Sequence, residues 1–450
     1  MKVCKFGGSS LADSIQVKKA CDIVLSDPAR RVVVVSAPGK RHPGDPKVTD
    51  MLITCADAAL HGMDVEPFLQ AIVSRFAEIQ KGLGLDPAAL SEVEADLRER
   101  LAGDRSHPGM FLDCMKAAGE DNSARLFAAA LRARGADASY MAPGAAGMLL
   151  TSEFGNAHLL DESMPLLARS LKEARGIVVF PGFFGVTREG RVATFPRGGS
   201  DITGSILAAA AADLYENFTD VDAVYPVDPR IVPEVREGIA EMTYREMREL
   251  AYSGFGVFHD EAVRPALQAG VTINIRNTNH PERPGTLVKP QRQVEGGCKV
   301  VGIASDSGFA QLYVEKYMMN REVGFGRRLM RILEDENISW EHIPTGIDNM
   351  SVVFRQSQAT PEAEERILRR IRDELKTDKA SINHDHALVM VVGEGMQYTV
   401  GIMARAAVAL AEAGVNIEML NQGASEISVM FGVKDSDRAT AVRALYQAFF

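Results

Sequence analysis

Cysteine is scarce in this chain and tryptophan nearly absent, with five cysteines (Cys4, Cys21, Cys55, Cys114, Cys298) and one tryptophan. The cysteines are odd in number, scattered and never in CxxC spacing. That excludes a disulfide framework and a structural zinc site, and it points to a reducing compartment. No stretch approaches the ~20 consecutive apolar residues that a membrane span needs. Met1 leads straight into Lys-Val-Cys-Lys-Phe with no charged-then-apolar leader, so a cytoplasmic protein without a membrane partner is expected. The nine histidines show no ligand spacing, no Ser/His/Asp arrangement stands out, and no protein-held metal is expected. No GxGxxG follows a strand-like run, which argues against a nicotinamide enzyme. Sixty acidic residues against fifty basic give a formal charge of −10, so no chain-wide basic surface and no nucleic-acid partner are expected.

What is present is a packed α/β composition. The 450 residues are 46% hydrophobic and 24% charged, with 39 glycines and 20 prolines spread throughout, which excludes disordered, collagen-like and coiled-coil classes. That length implies two or three domains. Short continuous β-branched runs at Val3–Phe6, Val32–Ser36, Ile177–Phe180 and Val271–Ile275 read as strands buried on both faces of a largely parallel sheet. Ala- and Leu-rich stretches, Glu120–Arg134 and Thr203–Asp213, read as helices between them. Residues 1–290 therefore form one α/β domain, which closes near Pro281–Gly285, with Pro290–Gly297 as a linker.

The last third repeats itself. At an offset of 77, Val323–Phe354 lies over Val400–Phe431, matching Gly324 with Gly401, Arg328 with Arg405, Glu341 with Glu418 and Phe354 with Phe431. Each copy reads strand, glycine loop, amphipathic helix, two strands, helix. Copy one spans 299–386 and copy two 387–450. The strand-like segment Lys299–Ser305 is expected to complete the sheet of copy two, so that the units interleave.

Chemistry concentrates in glycine-rich turns. Lys5-Phe6-Gly7-Gly8-Ser9 follows a strand and opens a helix, where backbone N–H groups and a mobile cation make a phosphate cradle; a plain strand-to-helix turn reads the same. Arg197-Gly198-Gly199-Ser200-Asp201 brings a guanidinium, a hydroxyl and a carboxylate to a second helix start, where Arg197 suits a carboxylate substrate. Asp201 is placed to orient Lys5 or a hydrated magnesium ion, and a salt-bridged capping loop is the alternative. Glu120 and Asp121 are read at a helix start, where the dipole alone accounts for them. Thr219, Asp220, Tyr225, Asp228 and Arg230 fall in a turn-rich segment that suits a ribose, a base and a phosphate, or an ordinary Asx-turn loop. Met318, Met319 and Met350 read as core filling.

Together, KFGGSS at 5–10, VVVVSAPGK at 32–40 with Lys47–Asp50, GED at 119–121, FPGFFG at 180–185, FPRGGSD at 195–201, TDVDAVYPVDPR at 219–230 and the C-terminal repeat resemble the aspartate kinases over essentially the whole chain. The resemblance implies an amino-acid-kinase-like three-layer sandwich followed by two ferredoxin-like βαββαβ ACT units. It implies phosphorylation of the side-chain carboxylate of L-aspartate by ATP, with Mg2+ carried by the ATP, as the first step towards lysine, threonine and methionine. Lys5 with Gly7, Gly8 and Ser9 would stabilise the transferring phosphoryl group, and Asp201 would organise Lys5. Thr49, Glu120, Arg197, Gly198 and Ser200 would hold aspartate, with Glu120 on its ammonium and Arg197 on its α-carboxylate. Thr219, Asp220, Tyr225, Asp228 and Arg230 would surround the nucleotide. Gly256 departs from the family's lysine, which puts nucleotide affinity in question.

For lysine or threonine as effectors, the resemblance points to Asn320, Gly324, Phe325, Ser339, Trp340, Glu341 and Asp348 in copy one, and to Gln397, Tyr398, Asn416 and Asn421 in copy two. It also implies a homo-oligomer, dimer or tetramer, paired through ACT domains, and no fused homoserine dehydrogenase. Competing readings are a kinase of the same fold acting on glutamate, acetylglutamate or a nucleoside monophosphate, and a non-catalytic amino-acid sensor.

Overall fold

The computed structural model describes all residues except Arg197, 255–259, 294–298 and Tyr398. The expectations that fall on Arg197, Gly256, Tyr398, Cys298 and the second half of the 290–297 linker therefore lie outside the described residues. Two compact units emerge: Met1–Val224 with Gly238–Tyr244 and Val257–Arg292, and Gln293–Phe450 with Tyr225–Glu237 and Arg245–Gly256.

The first unit is built on an eight-stranded sheet. Its strands are β1 (Lys2–Phe6), β2 (Arg30–Val35), β3 (Ala138–Tyr140), β4 (Ile177–Pro181), β7 (Leu214–Thr219), β8 (Glu241–Thr243), β9 (Thr272–Asn277) and β10 (Thr286–Lys289), with a separate hairpin of β5 (Phe184–Val186) and β6 (Val192–Thr194). The order is β3-β4-β2-β1-β7-β9-β10-β8, parallel throughout except for the β9–β10 pair. The valines of β2 and the alternation of Cys4 and Phe6 with Val3 and Lys5 explain why both faces are covered. On one face Cys4, Phe6, Val33 and Val35 join a core with Phe76, Phe111 and Phe127 from helices, and Phe6 stacks on Phe218 with ring centroids 5.0 Å apart. On the other lies the helix Gly199–Ala211, whose Gly204 abuts the Tyr215 ring so closely that a Cβ would sit 2.4 Å from the hydroxyl. The sheet is thus the middle of three layers.

One helix differs from expectation. The stretch read as beginning at Glu120 is the second half of a 26-residue helix, Pro108–Ala133, started by His107 and Pro108. Gly119 is not a helix entry. A Cβ there would stand 2.7 Å from the Ala37 Cβ, so the glycine lets the helix lie against the loop after β2. Glu120 and Asp121 are therefore mid-helix, and the helix dipole does not account for them.

The second unit carries a six-stranded antiparallel sheet of β11 (Gly302–Glu315), β12 (Trp340–His342), β13 (Asn349–Arg355), β14 (Lys379–Val392), β15 (Met419–Gln422) and β16 (Ser428–Lys434), in the order β12-β13-β11-β14-β16-β15. β11 and β14 are each long enough to serve both copies. Gly302–Asp306 pairs with Leu388–Val392, the first strand of copy two, whereas Phe309–Glu315 pairs with β13 and with the start of β14. The register shifts between Asp306 and Gln311 mark the change from one copy to the other. Helices Phe325–Asp335 and Pro361–Leu375 cover copy one around Leu312, Leu329, Ile332 and Phe354. Ile402–Glu412 and Arg438–Phe449 cover copy two, where Val227, Ile231 and Val232 from the Tyr225–Glu237 segment join Val389, Leu410 and Phe431. Among the described residues no helix is long and apolar enough to cross a membrane, and the four described cysteines are free thiols, three of them buried.

Candidate active site

The sheet of the first unit reverses its winding at β1, which has β2 on one side and β7 on the other, and ligands of open α/β sheets settle at the carboxyl ends of strands beside such a reversal. β1 delivers Lys5 there. Its Nζ lies 2.6 Å from Asp201 Oδ1, with both side chains largely buried. Asp201 sits in the first turn of Gly199–Ala211. The pairing of Lys5 and Asp201 joins two motifs almost two hundred residues apart in sequence.

The turn after β1 is shaped by close backbone contact. The Gly7 N–H donates to Phe218 O at 3.2 Å and the Gly39 N–H to Gly8 O at 2.8 Å; a Cβ on Gly39 would come within 2.5 Å of the Gly8 carbonyl carbon. Only paired glycines permit that approach, which lays the loop after β2 across the loop after β1. Ser9 is exposed at this turn, while Ser10 is buried and its hydroxyl meets that of Thr278 at 2.7 Å. Thr49 is half-buried in the first turn of the helix Val48–Leu60. Gly198 precedes the Asp201 helix with φ of 77°, and Ser200 is buried against Gly182.

Glu120 is the unusual member. It is 5% exposed, and its Oε2 is buried with no hydrogen-bond partner among the described residues. Burial pushes its pKa up to about 8, opposed in part by the Ala37 N–H and by the charges of Lys5 and Lys116. One helical turn earlier, Lys116 is held by Asp113 at 2.7 Å and by the Thr194 hydroxyl at 3.1 Å, with the Phe183 ring 5.7 Å away. The side chain that the sequence placed at a helix tip is thus a buried, unpaired carboxyl beside two lysines.

The expected nucleotide set divides between the units. Thr219 ends β7, and its hydroxyl donates to Asp220 at 3.2 Å. Tyr225, Asp228 and Arg230 belong to the second unit, where Arg230 is exposed and pairs with its neighbour Asp228 at 2.7 Å. Asn217, in the first unit, escaped sequence reading, while Asp222 lies within the turn-rich 219–230 segment. Asn217 donates to Asp201 at 3.0 Å, and Asp222 gathers Asn277, His280 and Arg283 at 2.6–2.7 Å. Nothing in the local run Leu-Tyr-Glu-Asn-Phe-Thr, in which Glu216 is polar too, singled out Asn217.

Of the effector candidates, Phe325 is buried 5.7 Å from the Lys316 ammonium, and Asp348 accepts the Met318 N–H at 2.8 Å. The Asn320 N–H donates to Ile347 O at 3.2 Å, so the loop after β11 is laced to the loop before β13. Glu341 takes the Tyr252 hydroxyl and Arg355, and Ser339 bonds Gln358. Trp340 is 54% exposed on β12. Gly324 and Gly401, equivalent in the repeat, precede their helices with φ of 79° and 93°. Gln397 closes a short helical turn after β14. Asn421 reaches the His342 ring at 3.3 Å, whereas Asn416 lines a separate polar cavity of about 1070 Å³ with His386 and Glu418. The structure therefore gathers most copy-one candidates at one loop pair but not all ten described candidates into one place.

Comparison with known proteins agrees with this architecture. The pattern of the Amino acid kinase family matches residues 1–277, and that of the ACT domain residues 389–449. Aspartokinase 3 of Bacillus subtilis is 53% identical across all of this chain and 99% of its own length. The crystal structure of Clostridium acetobutylicum aspartate kinase, an allosteric enzyme, superposes with a TM-score of 0.88 at 35% identity over the whole of both chains. E. coli aspartokinase III, solved with lysine and aspartate, superposes with a TM-score of 0.76 at 26% identity over all of this chain and 99% of that one.

Proposed function

Because this chain belongs to the amino acid kinase family and, within it, to the aspartate kinases, we propose that it transfers the γ-phosphoryl group of ATP to the side-chain carboxylate of L-aspartate, giving 4-phospho-L-aspartate and ADP. As a kinase it uses a nucleotide. The observation that carries the finer reading is the Lys5–Asp201 pair at the carboxyl end of β1, with the unpaired Glu120 carboxyl under the charges of Lys5 and Lys116.

The acceptor carboxylate is ionised at neutral pH and attacks without a general base. Its oxygen forms the new bond to phosphorus as the bond to the β,γ-bridging oxygen breaks and the electron pair leaves on ADP. Catalysis then consists of positioning and charge stabilisation. Lys5 bears on the transferring group, Asp201 holds Lys5 in place, and the Gly7–Gly8 turn borders the phosphates. The Asp201 side chain, 19% exposed, would meet a hydrated Mg2+ carried by the ATP, which would supply charge neutralisation. Glu120 takes the substrate ammonium, Arg197 its α-carboxylate, and Thr49, Gly198 and Ser200 border the same substrate. Ser9, Thr219, Asp220, Tyr225, Asp228 and Arg230 serve the nucleotide.

The same reading makes the chain a feedback-regulated, cytoplasmic homo-oligomer, dimer or tetramer through its ACT units. Lysine or threonine would bind near Asn320, Gly324, Phe325 and Asp348. Such an effector acts only by binding an inactive arrangement more tightly than the active one.

The test is aspartate-dependent ADP release with hydroxylamine trapping of the acyl phosphate, with glutamate as the alternative acceptor and with lysine, threonine or both added. Hydroxamate is expected with aspartate, not with glutamate, and reduced about 10³-fold in Lys5→Ala. No aspartate-dependent hydroxamate at saturating ATP would end the reading. Light scattering of the purified chain checks its assembly, and a monomer at working concentration would remove the oligomer.

A further inference from the structure

Strand β7, Leu-Tyr-Glu-Asn-Phe-Thr, buries two polar residues, Glu216 and Asn217, and the second lies next to the ion pair. Strands buried on both faces read as apolar runs, yet Asn217 lies within β7, 3% exposed, as the register partner of Lys5 across the β1–β7 ladder. Alternation along the strand puts Asn217 on the same face of the sheet as Tyr215, the face covered by the helix that carries Asp201. Its Nδ2 donates to Asp201 Oδ1 at 3.0 Å, and that same oxygen accepts Lys5 Nζ at 2.6 Å. The other end of the amide, Oδ1, is buried with no hydrogen-bond partner among the described residues. A half-satisfied buried amide is worse for folding than an apolar side chain of the same shape. Its presence therefore needs a reason other than stability, and the atom it touches supplies one.

We propose that Asn217 is a positioning residue for phosphoryl transfer, acting through Asp201; the inference rests on the kinase reaction proposed above. A carboxylate facing a lysine across a crevice is free to turn about its terminal torsion and follow the ammonium. With Oδ1 tied to a strand by the Asn217 amide, Asp201 keeps one orientation and presents one anchored oxygen. Lys5 then has one N–H donor engaged at a fixed point and two left for phosphate oxygens. The Asn217 donor also takes up part of the negative charge on Oδ1, which loosens the hold on Lys5 without breaking it. The function of the amide is to let a single ammonium serve both its anchor and the transferring group.

The experiment is a double-mutant cycle on the full chain. Asn217→Leu keeps the branched shape and removes the amide, Asp201→Ala removes the carboxylate that the amide holds, and the double variant combines them. In steady-state assays Asn217→Leu is expected to lower kcat about tenfold, with KM for aspartate within about twofold of the parent and a thermal midpoint no lower than the parent's. In the Asp201→Ala background the same change is expected to cost nothing further, because the oxygen through which the amide acts is gone. Asn217→Thr, whose hydroxyl offers a donor from a strand-compatible side chain, should recover part of kcat. If the leucine variant does not fold, Asn217→Ala carries the same comparison. Parent-like kcat in Asn217→Leu, or a loss that recurs in full on top of Asp201→Ala, overturns the inference. A parent chain that forms no aspartate-dependent hydroxamate ends the kinase reading itself, and the inference with it; the two failures are told apart because that assay uses the unsubstituted protein.

Discussion

Glu120 and Glu216 are both buried carboxyls of the first unit, 5% and 1% exposed, and they titrate in opposite directions. For Glu216 burial alone would raise the pKa, but Arg30, bonded to both its oxygens at 2.7 and 2.9 Å, and Arg276, at 2.9 Å, outweigh burial and hold it below the usual carboxylate range. The Cys4 thiol approaches the same carboxylate at 3.5 Å. Glu120 has the burial without the guanidiniums, so its pKa is pushed up to about 8. The difference separates two uses of a buried charge. Glu216 is complete within the fold, tying β7 to β2 and β9, whereas Glu120 is left short of a cation. A substrate ammonium would fill that place.

The contrast is open to direct tests. The largest effect is expected from Glu216→Ala, which takes the carboxylate from the buried Arg30 guanidinium and from the partly buried Arg276 and should destabilise the first unit by about 3–5 kcal/mol, read by denaturant unfolding; a change under ~1 kcal/mol would mean that the cluster is not the finished structural element described here. Next comes Glu120→Gln, expected to leave the fold intact while reducing kcat/KM for aspartate by roughly 30- to 100-fold, the worth of a charged hydrogen bond to the ammonium. Its stability carries a sign that Glu216 cannot mimic. The folded-state pKa of Glu120 lies above its ordinary value of 4.5, so the parent loses stability as pH rises through the interval between that value and about 8. The glutamine variant should therefore gain on the parent over that interval, and an advantage that shrinks with rising pH would contradict the placement of Glu120.

A smaller effect, about tenfold, is expected in the pH dependence of the parent's KM for aspartate. Ionisation of Glu120 favours the ammonium, so KM should fall as pH rises from about 6.5 to 8.5, and this slope should vanish in Glu120→Gln. The smallest is Cys4→Ala beside Glu216, expected to cost about 1 kcal/mol of stability and to leave kcat/KM unchanged.

Much of this was legible along the chain because it is local. The runs Val3–Phe6 and Val32–Ser36 became central strands, and the glycine turns after β1 and before the Gly199–Ala211 helix carry the residues expected there. The 77-residue repeat corresponds to two copies of one order of elements. The helix boundary at Glu120 was misread because glycine usually marks an end, while Gly119 serves a contact with Ala37 that no local pattern records. Asn217 went unread for a related reason: its partner lies sixteen residues away across a helix-to-strand connection. Tyr225, Asp228 and Arg230 continue the Thr219–Asp220 motif in sequence yet fall in the other unit, since Val227 and its neighbours are apolar enough to join the copy-two core.

Composition, periodicity and motif spacing by themselves determined the fold class, the repeat and the residues capable of chemistry, since each depends on neighbours a few positions apart. Tertiary structure alone decided which charges meet, which are satisfied and which are left over. Those outcomes depend on desolvation and on partners brought from distant segments: Lys5 meets Asp201 because two loops converge at one strand end, and Glu120 is raised because the fold buries it without a guanidinium among its described neighbours.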